Sequence, residues 1–67
     1  MNFIETVRYR RRTLGINQSD LAQMSGVSLA TIKDIERGVG NPTLDTAQKI
    51  LEVLGMEMRY TLREVGL

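Results

Sequence analysis

Apolar side chains recur at spacings of three and four through most of this chain, then at a spacing of two near its C-terminal end. The first helix is predicted from about Phe3 to Leu14, with Ile4, Val7 and Leu14 on one face. Asn2 followed by Glu5 resembles a capping box, and Gly15 is a natural stop. A second helix runs from about Gln18 to Ser25, with Asn17 as N-cap, Asp20 in the first turn, Gly26 at its end and Leu21 and Ala22 inward. A third runs from about Leu29 to Arg37, capped by Ser28, stopped by Gly38 and striped by Ile32 and Ile35. Gly38-Val39-Gly40-Asn41-Pro42 reads as a loop. The fourth helix extends from about Leu44 to Leu54, between Thr43 as N-cap and Gly55. Its apolar face is Leu44, Ala47, Ile50, Leu51 and Leu54.

After Gly55 the period changes. Met56, Met58, Tyr60 and Leu62 alternate with Glu57, Arg59, Thr61 and Arg63, the pattern of a half-buried strand. A lone strand after four helices leaves its backbone N–H and C=O groups without partners. Pairing with the same strand of a second copy is the simplest remedy. The expected organisation is therefore a helical domain over residues 1–55 and a dimerisation strand over 56–67.

The 67-residue length allows one small domain, which buries only about 60% of its unfolded-chain surface. Cys and His are both absent, which removes disulfides and the common soft metal sites, and leaves association as a source of stability. No apolar run reaches the roughly 18 residues that span a bilayer. The opening MNFIETVRYRRR has no signal-peptide core, so a cytoplasmic protein without a membrane partner is expected. No nucleophile–base pair, glycine-rich phosphate loop or carboxylate cluster points to an enzyme, and no cofactor or metal is expected. Net charge is +1, but unevenly spread. Residues 1–37 carry six positive side chains (Arg8, Arg10, Arg11, Arg12, Lys33, Arg37) against four negative. Residues 38–67 carry three against four. The basic excess lies where a DNA-facing half would need it.

Two short helices joined by a tight glycine turn form a helix-turn-helix, and Gln18 to Gly38 fits that arrangement. Val27 is expected in the angle between them, with Ala22 small enough for close approach. The second helix would lie in the major groove.

The chain resembles the phage repressor/Cro-type (XRE-like) helix-turn-helix family. The resemblance is carried by Leu14-Gly-Ile-Asn-Gln-Ser-Asp-Leu-Ala-Gln, Gly26-Val-Ser, Thr31-Ile-Lys-Asp-Ile-Glu-Arg-Gly38 and Asn41-Pro-Thr-Leu44, and it covers about residues 4–55. It implies a mainly α, compact four-helix repressor-like DNA-binding domain, here followed by the C-terminal strand. Gln18 matches the family's glutamine that contacts a phosphate and buttresses the recognition helix. Ser28, Leu29, Ala30, Thr31, Lys33 and Asp34 match the positions that meet DNA. Ser28 and Thr31 are suited to phosphates, Lys33 to a phosphate or guanine edge, and Asp34 to cytosine N4 or to orienting a donor. Leu29 and Ala30 depart from the polar residues common there and would touch thymine methyls or clear space. The resemblance also implies an Arg11–Glu36 ion pair of structural purpose. Arg10 and Asn41 are further phosphate candidates, while Met24, Met56 and Met58 read as packing residues.

The ordering of a four-helix domain and then a strand is similar to HipB-type antitoxins, carried by Gly55-Met-Glu-Met-Arg-Tyr-Thr-Leu-Arg. That similarity implies an autoregulating operator-binding homodimer that also binds a kinase-like toxin. The alternatives are a stand-alone phage or bacterial repressor and, from another class, a protein-interaction module that does not bind DNA.

Overall fold

A computed structural model describes residues 1–63. It contains α1 (Phe3–Thr13), α2 (Gln18–Ser25), α3 (Leu29–Arg37) and α4 (Leu44–Val53). Each helix starts where a side chain replaces a missing backbone partner. Asn2 Oδ1 accepts from Glu5 N, Ser28 Oγ from Thr31 N and Thr43 Oγ1 from Thr46 N. At α2 the exchange is reciprocal: Asn17 Oδ1 accepts from Asp20 N at 2.7 Å, and Asn17 N donates to Asp20 Oδ2 at 2.9 Å.

α3 packs against both α2 and α1, and α2 also packs against α4. The core is Val7 from α1, Leu21 from α2, Val27 from the turn, Ile32 and Ile35 from α3, and Ile50 and Leu54 from α4 and its cap. Phe3, Ile16, Ala22 and Val53 pack around it. Gly26 ends α2 in the left-handed conformation (φ 75°), which turns the chain sharply enough to seat Val27 between the two helices.

Several expectations need correction. α1 and α4 end one residue earlier than their apolar patterns suggest, because Leu14 and Leu54 serve as C-caps. Leu14 and Leu44 are exposed rather than part of the apolar faces, since each sits at a helix end beyond its packing neighbour. Met24 is 61% exposed and fills no core space.

The strand expected over residues 56–67 is not formed among the described residues, and residues 64–67 lie outside them. The backbone after Gly55 meets no second strand among the described residues to complete a ladder. Met56 is at the edge of exposure and Met58 half-buried, whereas Tyr60 is largely and Leu62 wholly in solvent. No helix among the described residues is long and apolar enough to cross a membrane, and no cluster of metal-ligating side chains occurs among them.

Candidate nucleic-acid interface

The inward stripe of α3 fixes which residues face out. Ile32, Ile35 and Glu36 are buried, so Ala30, Lys33, Asp34 and Arg37, at helical spacings of three and four, share the opposite face. These four residues and Gln18, at the first turn of α2, line one shallow groove. The structure thus brings together Gln18, Ala30, Lys33 and Asp34 from the residues singled out above, and adds Arg37. The signal for Arg37 was its position four residues after Lys33 on the same face. Its guanidinium pairs with the Asp34 carboxylate, so these two opposite charges partly cancel on the outer surface.

At the helix start the Ser28 hydroxyl is committed. Its Oγ accepts from Thr31 N at 3.1 Å and donates to Thr31 Oγ1 at 2.8 Å. Thr31 therefore accepts from Ser28 and keeps its own hydroxyl proton for an outside acceptor. Leu29 is half-buried on the side of α3 that carries Ile32 and Glu36, so it adds less to the outer face than Ala30 does. Asn41 is exposed in the loop after α3 and lines a second groove together with Thr31 and Asp34. That groove continues the outer face of α3 toward α4.

Arg10 belongs elsewhere. Its Nε and Nη2 both donate to the carbonyl of Leu54, at 3.2 and 3.0 Å, so it closes the C-terminal end of α4. A phosphate contact by Arg10 would have to use its remaining N–H groups or release this carbonyl. The terminal carbonyls of α4 have no helical partner, and a cation at that end is favourable.

Arg11 and Glu36 form a two-pronged ion pair. Nε donates to Oε2 at 2.7 Å and Nη2 to Oε1 at 2.8 Å, with side-chain exposures of 12% and 4%. Arg11 Nη1 also donates to the Ile16 carbonyl at 3.1 Å. One guanidinium therefore ties α1, the α1–α2 turn and α3 together. Burial by itself pushes the Glu36 carboxyl up, but the hydrogen bonds and charge of Arg11 outweigh it. Smaller favourable interactions come from Gln18 and Arg12, and the carboxyl lies below its ordinary range. The hydrogen bond to Glu36 likewise holds Arg11 more firmly protonated, against the effect of its burial.

Comparison with known proteins agrees with this geometry. A family model described as helix-turn-helix matches residues 7–60. The chain is 40% identical over 63 residues to a protein of Archaeoglobus fulgidus named as an HTH-type transcriptional regulatory protein, covering 94% of this chain and 19% of that one. It is 31% identical over 65 residues to the HTH-type transcriptional regulator DdrOP3 of Deinococcus deserti, covering 97% of this chain and 50% of that one. An uncharacterized HTH-type transcriptional regulator of Methanothermobacter thermautotrophicus is 39% identical over 51 residues, or 76% of this chain and 74% of that protein. The chain thus spans about a fifth and a half of the length of the first two relatives.

Proposed function

This chain belongs to the helix-turn-helix family, and from that premise we propose that it binds operator DNA as a homodimer in the cytoplasm and represses transcription by occupying a promoter. The observation that carries the reading is the outer face of α3. It joins Gln18, Lys33, Asp34 and Arg37 around one groove, and its first turn presents a free Thr31 hydroxyl proton. Side chains of these types suit phosphate oxygens and base edges in the major groove. Lys33 reaches a phosphate or guanine, Gln18 a phosphate, and Ala30 leaves room for a thymine methyl. A two-fold dimer then calls for inverted half-sites about 34 Å apart, one helical turn.

The test is fluorescence anisotropy with DNA from upstream of the gene, against a scrambled fragment, across a salt series. A preference of about a thousandfold for the upstream fragment, with a steep salt slope, is expected. Lys33→Ala should weaken binding, and Gln18→Ala should weaken it on every sequence. Equal affinity for both fragments together with indifference to both substitutions would overturn this docking and favour a protein-interaction module. Retention of a kinase-like protein by the tagged dimer would extend the reading to an antitoxin.

A further inference from the structure

Helical geometry divides the run from Arg8 to Arg12. Arg10 and Arg11 fall on sides of α1 that carry them to the Leu54 carbonyl and to Glu36. Arg8 and Arg12, four residues apart, share the side that is left. With Glu5, Tyr9 and Thr13 they line one shallow groove on the outside of α1. Arg12 is exposed and Arg8 half-buried, and neither has an ion-pair partner among the described residues. Glu5 is the one carboxylate in this groove, and it sits in the first turn of α1, where a negative charge suits the helix end.

This stripe adjoins the α3 groove at two points. Arg8 shares a cleft with Glu36, Arg37 and Gly38 at the end of α3. The charge of Arg12 and the side chain of Gln18 both act on the Glu36 carboxyl, so Arg12 stands near the Gln18 end. Gln18 and Arg37 themselves line the α3 groove. α1 packs directly against α3. Two basic rows therefore run side by side: Lys33 and Arg37 on α3, Arg8 and Arg12 on α1.

Resting on the DNA-binding reading above, we propose that Arg8 and Arg12 form a second contact row for duplex DNA, taking phosphates of the strand that borders the major groove occupied by α3.

Dimensions and charge support this row. The major groove is about 12 Å wide and a helix with its side chains about 10–12 Å across, so α3 fills the groove. An element packed beside α3 then stands over a groove wall, which is sugar-phosphate backbone. A duplex carries one negative charge per about 1.7 Å of its axis, so that wall is dense in acceptors. A guanidinium matches a phosphate with two parallel N–H donors, and the Tyr9 hydroxyl in the same groove is a further donor. Arg8 and Arg12 have these donors free because the fold uses the two arginines between them.

The test is the salt dependence of binding by the full chain to a short duplex of scrambled sequence and to the upstream fragment. Arg8→Gln and Arg12→Gln should each lower the slope of log affinity against log salt by about 0.9 per protomer, and the double variant by about twice that. Affinity at about 0.1 M salt should fall about eightfold per lost contact, the factor that such a slope carries between about 1 M and about 0.1 M. The loss should be the same on both duplexes, because phosphates carry no sequence information. Arg12→Lys should keep the wild-type slope, since a lysine still supplies the charge. Lys49→Gln is the control for losing a positive charge anywhere: its ammonium pairs with Asp45 at 3.1 Å on α4, and the slope should not change. Urea midpoints near that of the wild type would show that the variants are folded. Unchanged slopes for Arg8→Gln and Arg12→Gln, while Lys33→Ala flattens its own, would overturn the second row and leave the DNA reading standing. An equal drop for Lys49→Gln, or a loss confined to the upstream fragment, would also overturn it. A wild-type chain that binds neither duplex at low salt would overturn the DNA reading beneath it.

Discussion

Arg10 and Arg11 are neighbours in a run of arginines, yet they do different work from each other and from a DNA-facing cation. Arg11 is spent inside the fold, on Glu36 and on the Ile16 carbonyl. Removing one member of a buried pair leaves the other charge unmatched, at a cost of about 3–5 kcal/mol. Glu36→Gln should fall toward the lower end of that range, because the amide still offers an acceptor, and urea unfolding would show it. Replacing both, with Arg11→Met and Glu36→Leu, should recover most of the loss, since well-packed apolar groups often match a buried ion pair. The pH dependence follows from the lowered carboxyl. Between the folded value and the ordinary unfolded value of about 4.3, the unfolded chain binds a proton that the folded one does not. The pair's stabilisation is therefore complete above that unfolded value and is lost as pH falls through the folded one. Thermal melts from pH 7 downward should show the wild-type advantage over Glu36→Gln shrinking in that acid window; a constant gap at every pH would contradict it.

The helix-turn-helix depends on how α2 ends. Gly26 lies in the left-handed conformation, and a Cβ added there would meet nothing within 4 Å. The cost of Gly26→Ala is thus conformational rather than steric, about 1–2 kcal/mol. Gly26→Asn should cost less, because asparagine tolerates that conformation better. Denaturant midpoints of the two variants would rank them, and equal losses would mean that space rather than backbone decides. The same turn sets the direction of α3, so DNA affinity should fall with Gly26→Ala even where the protein remains folded. Two further element-scale features are the commitment of Ser28 to its own cap and the orientation of Thr31 that follows. Ser28→Ala should cost about 1 kcal/mol of stability from the lost cap.

At the scale of the whole molecule, the fold gives four of the basic residues two different kinds of work. Arg10 and Arg11 hold α4 and α3 in place. Lys33 and Arg37 line the outer groove of α3. Of these four, only Lys33 and Arg37 should add to the salt dependence of DNA binding. Lys33→Ala should reduce the slope of log affinity against log salt by about one per protomer. Arg10→Ala should leave that slope unchanged while lowering stability and loosening the base of the C-terminal segment. If Arg10→Ala flattens the slope as Lys33→Ala does, Arg10 reaches phosphate in the complex despite its bonds to Leu54.

The four helices were legible in the sequence, because caps and glycine stops act locally. Asn17, Ser28, Thr43 and Gly26 specify element ends from within three or four residues. The inward stripe of α3, and hence its outward face, follows from helical periodicity alone. The destination of Arg10 was not legible, and that of Arg11 was expected only through the family resemblance. Whether an arginine faces a phosphate, a carboxylate or a helix end depends on which element lies alongside, and Leu54 is 44 residues from Arg10. The exposure of Leu14 and Leu44 likewise reflects packing neighbours that no local pattern contains. The alternation after Gly55 fixed which side chains share a face. Whether that alternation becomes a strand was not legible, because a ladder needs a second strand and none is formed among the described residues.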